Sequence, residues 1–380
     1  MKKFFKNNRL FIFSLLTIVS LRVYFELLIH WADRYIAFKG SPYWDVLELV
    51  QRPKWLLLWG NFDGAHYINI AENGYSFGLS QAFFPLYPQL IRWLNLNLIH
   101  NSILSGLLIS TLSLIGFVYI FIKLGRLDYS LKTIRWAIIF LLLFPTSFFF
   151  FSIYTESFFL FLTALTFYLA RRKKFILAAI IAGLASATRL VGIFLLPALL
   201  WEYYQVYKKP KLLPLVGLTI LASSGLFGYL SYLQSRFQNF LIFVSTQPGF
   251  GAGRQVDTIV MIYQVIFRYL KMFITVSPQN DIYLVLVFEF LISLLFIGLI
   301  IFAYIKKFRL SYLIFFIPSF LLPTFTGSLA SMPRYVLAGF PLFYLLANIK
   351  SKYFKISWLA ISLLLLTWAF VRFSQGYWIS

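Results

Sequence analysis

The sequence predicts an all-α polytopic membrane protein, and three observations carry that prediction. The 380 residues are 61% hydrophobic and only 12% charged, more apolar surface than a water-soluble fold of this length needs. Long apolar runs recur along the chain, each enough for a helix to cross the hydrocarbon layer with its backbone groups satisfied internally. The basic residues collect in short stretches between those runs, as the positive-inside bias requires.

In chain order, Lys2, Lys3, Lys6 and Arg9 place the N-terminus in the cytoplasm, ahead of a span over about 10–29. Arg22, Tyr24 and Glu26 continue that helix where a signal peptide would present a small-residue cleavage site, so the span is read as retained. An outer region over 30–99 follows, with Asp33, Asp45, Glu48, Asp63 and Glu72 among many Trp, Tyr and Pro residues. Its segments 46–59 and 82–95 are too polar to cross and too apolar to float, which predicts helices lying at the interface. A second span over about 101–122 leads to cytoplasmic Lys123, Arg126, Lys132 and Arg135. Between those residues and Arg171 the number of crossings is even, giving two short spans around Pro145 with an outer turn at 154–157. The segment 173–209 repeats the pattern, with its outer turn at 186–189.

A seventh span covers about 212–231, followed by a second outer region, 232–281. There QPGFGAGRQVD reads as a flexible loop and IVMIYQVIFRYLKMF as an interfacial helix. Further spans over about 282–305, 311–325, 335–349 and 356–374 bring the expected total to about eleven. The C-terminus is then outside, and residues 1–380 form a single transmembrane domain.

The formal charge of +22 arises from 34 basic and 12 acidic residues. Because the basic residues sit in loops beside spans, this charge sets topology and contacts anionic membrane lipids; no nucleic acid is expected. The absence of cysteine excludes disulfides, thiol catalysis and cysteine metal sites. The three histidines, His30, His66 and His100, form no close pair, and Asp63 has no second carboxylate within two residues. No cofactor is therefore expected, and a divalent metal has no support. Nothing marks an oligomer.

The alternation of spans brings Asp63, His66 and Glu72, then Tyr154 and Glu156, then Arg189, Arg254, Asp257, Arg334 and Tyr335 to the non-cytoplasmic face. Singly, each has an ordinary reading: Glu156 as a helix cap, Arg189 reaching lipid headgroups, Asp63 as a loop carboxylate. Together they suggest chemistry on an amphiphile. Arginines bind a phosphate whose tail lies in lipid, and a carboxylate takes the proton of an attacking hydroxyl. That describes glycosyl transfer from a lipid-phosphate sugar. It describes equally a transporter or flippase of an anionic lipid or lipid-linked sugar.

The stretch NFDGAHYINIAENGY, followed by QAFFPLYPQLIRW, resembles the first outer loop of the PIG-V-type mannosyltransferases and their prokaryotic relatives. FPTSFFFFSIYTES, ASATRLVG, SMPRYVLAGFPLF and the terminal QGYW resemble further blocks of that family in the same order. Phe62 stands where the family usually has Trp, and Leu190–Val191 where it often has Ser–Asn. The resemblance implies a GT-C-type fold in a prokaryotic cytoplasmic membrane, with the site facing outside. It implies a polyprenyl-phosphate sugar donor, mannose in the eukaryotic members, and a lipid-linked or glycan acceptor. It makes Asp63 the essential acid. Arg189 and Arg334 then become the expected phosphate contacts and Arg254 a third. His66 lines the acceptor site or holds its loop, and Glu72 lines the site or supports the Gly74–Tyr75 turn. Glu156 binds an acceptor hydroxyl or organises Tyr154, and Tyr335 lines the site.

Overall fold

The computed structural model describes residues 2–76, 78–209 and 211–379, with side chains from Arg9 onward. The side chains of Lys2, Lys3 and Lys6, on which the N-terminal orientation partly rests, lie outside the described ones. Every regular element among the described residues is helical. Among the described residues six helices are long and apolar enough to cross a membrane: Arg9–Tyr35, Ser102–Gly125, Leu190–Tyr207, Leu212–Phe237, Tyr283–Ile305 and Lys352–Ser374. The first shows the division expected of a membrane helix. Leu16, Val19, Val23 and Leu27 are exposed along one stripe, while Ile18, Leu21, Phe25 and Ile29 are buried along another. The protein is an integral membrane protein of the all-α, polytopic class.

The chain forms two compact units. The first comprises Met1–Glu72, Pro88–Tyr168 and Phe340–Tyr377; the second comprises Asn73–Tyr87, Leu169–Gly339 and Trp378–Ser380.

In the first unit the core is aromatic. Phe25 lies 4.5 Å from Phe370 and 5.3 Å from Phe151, ring centre to ring centre, and Phe148 lies 5.1 Å from Phe373. Tyr24 and Thr367 share a hydrogen bond of 2.6 Å that joins the first and last long helices. Arg22, inside the first span, is not stranded in the apolar layer. Its guanidinium stacks 3.9 Å over Trp59, pairs with Glu26 at 2.7 Å and donates to the Phe151 carbonyl at 3.3 Å.

In the second unit the helices Phe175–Ser186 and Leu212–Phe237 meet through small residues. A Cβ on Gly225 would lie 2.1 Å from the Gly183 carbonyl oxygen, so only glycine permits this approach. Ser186 seals the crossing by accepting the Leu226 N–H at 3.1 Å. A half-buried ion pair braces the same unit: Arg309 donates from Nε and Nη2 to the two carboxylate oxygens of Glu202, each at 2.6 Å, and Ser311 donates to the same carboxylate.

Three segments depart from the sequence expectation. The stretch 46–59 is not one interfacial helix. It breaks into Trp44–Glu48 and Lys54–Leu57, because Gln51 turns left-handed and Pro53 excludes helical geometry before it. Leu57, Leu58 and Trp59 then run into the core rather than along the surface. The stretch 335–349 is not a continuous span either. It consists of Met332–Tyr335, a 3-10 turn over Val336–Gly339, and the six-residue helix Leu342–Ala347. Its side chains are almost all buried, so its hydrophobicity serves protein packing instead of lipid contact. Between 136 and 170, where two short spans were expected, the chain forms helices Leu131–Leu142 and Glu156–Arg171, of 12 and 16 residues, joined through the 3-10 turn Ser147–Phe150, and neither is among the helices long and apolar enough to cross. The expected amphipathic helix of the second outer region is present as Ile262–Thr275. Val265 and Tyr269 are buried on one face, and Tyr263, Phe267, Leu270 and Ile274 are exposed on the other.

Candidate functional site

Asp63 opens the helix Asp63–Asn73 in the first unit. The partial positive charge of a helix N-terminus favours a carboxylate there. Phe62, immediately before it, has φ +57°, a left-handed backbone that a bulky residue adopts only when its surroundings hold it there. Tyr154 is what holds it. Its buried hydroxyl donates to the Asn61 carbonyl at 2.7 Å and accepts the Asp63 N–H at 3.2 Å, spanning the strained residue. Asn61 is fastened from the other side, its Nδ2 donating to the carbonyls of Phe373 at 2.9 Å and Ser374 at 3.3 Å. The Ile153 N–H donates to the Trp59 carbonyl at 2.9 Å. Three segments distant in sequence therefore fix one carboxylate. Asp63 is half-buried, while Asn61, Phe62, Gly64 and His66 around it are buried.

His66 follows one helical turn after Asp63 and is 2% exposed. Burial pushes its imidazole down to about 4, against the opposing pull of the Asp63 charge, so it is neutral at physiological pH and leaves the carboxylate's charge intact. Tyr43 packs edge-on against His66, ring centres 4.2 Å apart. Its phenol is held above its usual range by burial first and by the Asp63 charge second. Sequence reasoning missed Tyr43, since a tyrosine twenty residues upstream in an aromatic-rich segment carries no distinguishing spacing. It also passed over Asn61 as part of the motif without a role.

Glu156 is buried at the first position of its helix, directly after Tyr154 and Thr155. Thr155 shares a hydrogen bond of 3.4 Å with Tyr67, the neighbour of His66. Glu72 goes elsewhere. It lies about 2.5 helical turns from Asp63, and its carboxylate accepts from Ser102 Oγ at 2.5 Å, where support of the 74–75 turn had been expected.

In the second unit the structure brings two of the three expected cations, Arg189 and Arg334, to one ring. Arg189 begins the turn after helix Phe175–Ser186. A Cβ on Gly192 would lie 2.4 Å from the Ala185 carbonyl, so the turn is folded tightly onto that helix. The Arg189 guanidinium stands 5.4 Å from the centre of the Tyr335 ring, and the Arg334 guanidinium 5.1 Å from the same ring. Arg334 is buried at 6% exposure and donates from Nη2 to the Tyr335 hydroxyl at 3.4 Å. Two guanidinium groups brought to one ring offer charge-assisted donors for an anion. Arg254 is half-buried and acts electrostatically on Glu289, a residue without a role in the sequence reading. The signal for Glu289 was present: a lone carboxylate in the apolar run YLVLVFEFLISLLF. Asp257 is exposed.

The first unit thus presents a fixed, half-buried carboxylate beside a neutral imidazole and a phenol, suited to accepting a proton from a hydroxyl. The second presents paired guanidinium groups suited to phosphate. Among the described residues no cluster of three or more His, Asp or Glu is placed to hold a metal ion. Compared with protein-family models, with curated proteins and with solved structures, the chain matches none.

Proposed function

We propose that the protein is a membrane glycosyltransferase of the GT-C type, related to the PIG-V-type mannosyltransferases. It transfers a sugar, mannose in this reading, from a polyprenyl phosphate to the hydroxyl of a lipid-linked or glycan acceptor. The reaction takes place on the non-cytoplasmic face of a prokaryotic membrane.

In this reading Asp63 takes the proton as the acceptor oxygen attacks the anomeric carbon. The bond from that carbon to the donor phosphate oxygen breaks, and its electron pair leaves with the polyprenyl phosphate, giving one inversion. Arg189 and Arg334 stabilise the charge growing on the leaving phosphate, with Arg254 assisting. His66, held neutral, and Tyr43 border the acceptor hydroxyl, while Tyr154 and Glu156 set the geometry around Asp63.

The observation that carries the reading is the fixing of Asp63. A strained, over-determined backbone around one accessible carboxylate is what a reacting group requires and what a loop acid facing water does not. The test is a transfer assay with detergent-purified protein, a panel of polyprenyl-phosphate sugars, and mass analysis of the products. Transfer by the native protein and its loss in Asp63→Asn is the expected result. Absence of transfer from every donor, or transfer that persists in Asp63→Asn, would reject the reading.

A further inference from the structure

Glu289 is the one acid within the span Tyr283–Ile305, and it is buried at 2% exposure. An ionisable group so placed is retained for what it binds. Oε2 accepts the Tyr269 hydroxyl at 2.7 Å, and Oε1 faces the Ser331 N–H at 3.4 Å. Trp378 hydrogen-bonds to the same carboxylate, and Arg254 supplies the nearby positive charge. Tyr269 extends the arrangement, its oxygen accepting the Leu329 N–H at 3.2 Å. One residue earlier, Arg268 donates to the Gly327 carbonyl at 3.3 Å.

Three of these contacts, Glu289 on Ser331, Tyr269 on Leu329 and Arg268 on Gly327, end on a single stretch, 327–331. It has no helical ladder of its own to satisfy its amides, and Ser331 adopts φ +68°. The next residues are Met332–Tyr335, the short helix that carries Arg334 and the ring on which Arg189 also stands. The direction in which Arg334 projects therefore depends on the turn that Glu289 and Tyr269 hold.

We propose that Glu289, with Tyr269 as its relay, is the positioning residue of the Arg334–Tyr335 phosphate site. It fixes the 329–331 turn so that the guanidinium and ring are set before an anion arrives, reducing the ordering that binding would otherwise require. The inference rests on the reading of Arg334 as a phosphate ligand.

The experiment combines two measurements on purified protein in detergent: hydrogen exchange over peptides covering 327–335, and affinity for a polyprenyl monophosphate. The variants are Glu289→Ala, Glu289→Gln and Tyr269→Phe, with Arg334→Ala as reference. Tyr269→Phe keeps both the carboxylate and the ring, so it decides the question even if Glu289→Ala fails to fold. The expected result is faster exchange confined to 327–335 and an affinity loss of about tenfold in Tyr269→Phe and Glu289→Ala, with Glu289→Gln intermediate because it keeps one acceptor. If exchange does not change, or changes while affinity stays at the native value, the proposal is overturned, provided Arg334→Ala loses binding. If Arg334→Ala binds as the native protein does, the phosphate reading falls and this inference with it.

Discussion

The Tyr154 hydroxyl stands between the Asn61 carbonyl and the Asp63 N–H, at 2.7 and 3.2 Å, and so straddles the left-handed residue Phe62. The same oxygen satisfies a buried acceptor, satisfies a helix-terminal donor, and confines the carboxylate that follows.

Removing that oxygen tests how far activity depends on its placement. Tyr154→Phe keeps the ring contacts with Phe149 and Phe373 but removes the hydroxyl's bonds to the Asp63 N–H and to the Asn61 carbonyl, at a cost of about 1–3 kcal/mol. That carbonyl keeps only the Gly64 N–H, at 3.4 Å. The melting temperature should fall modestly. Transfer should fall more steeply, about 100-fold, because small displacements of a reacting group are expensive in rate. Parallel melting curves and initial rates check this, and equal fractional losses in both would make Tyr154 merely a packing residue.

Asp63→Asn is expected to do the opposite. The side chain is half-buried, nearly isosteric, and no longer a base. Stability should remain close to native while transfer drops by about 10²–10⁴. A normal melting curve alongside lost product formation is the expected pair of results.

Much of the architecture was legible in the sequence because a bilayer demands a single thing of a span, apolar length, and composition displays length directly. Ser102–Gly125, Leu212–Phe237 and Tyr283–Ile305 fall close to where they were expected. The stretch 335–349 was misread because an all-apolar run looks the same whether lipid or protein surrounds it. Only the packing of Phe340, Phe343 and Tyr344 inside the protein distinguishes the two cases. The grouping of Tyr154 with Asp63 was expected from alternation of the spans, but the hydroxyl's part as a backbone clamp was not, since it depends on the φ of Phe62. Glu72 was misplaced in its contacts for a similar reason: its partner Ser102 is thirty residues away in sequence, and no local pattern announces it.

His66 gives a pH dependence with a definite sign. Its imidazole is lowered from 6.5 to about 4 in the fold, so the unfolded chain binds the proton more tightly between those values. Stability contributed by keeping His66 neutral is complete above about 6.5 and declines as pH falls towards about 4, by at most about 3 kcal/mol. Thermal denaturation from pH 7.5 down to 4.5 should therefore show a slope that His66→Asn reduces. An unchanged slope in that variant would place the acid sensitivity elsewhere.

The Glu202–Arg309 pair should matter to folding and not to substrate use. Glu202 is almost fully buried and Arg309 about one-third exposed, so Arg309→Ala strands a buried carboxylate at a cost of about 3 kcal/mol. The fraction of folded protein should fall, while the donor and acceptor KM of the surviving folded fraction stay at native values. A shift in either KM would connect this brace to the substrate sites.

The arginines around Tyr335 offer the sharpest separation of donor from acceptor. Arg334 is buried and planar, with its fork directed by the Tyr335 hydroxyl and ring, and lysine reproduces neither the fork nor the stacking. Arg334→Lys should raise the donor KM about tenfold and Arg334→Ala about 100-fold, with the acceptor KM unchanged, because a lost charge-assisted bond to phosphate is worth about 1.5–3 kcal/mol. Tyr335→Phe keeps the ring and should cost little, whereas Tyr335→Leu removes the surface on which both guanidinium groups stand and should resemble Arg189→Ala. Steady-state kinetics with each substrate varied in turn decides the assignment. A change in acceptor KM alone would move both arginines to the acceptor side, and the donor phosphate would then need a different ligand.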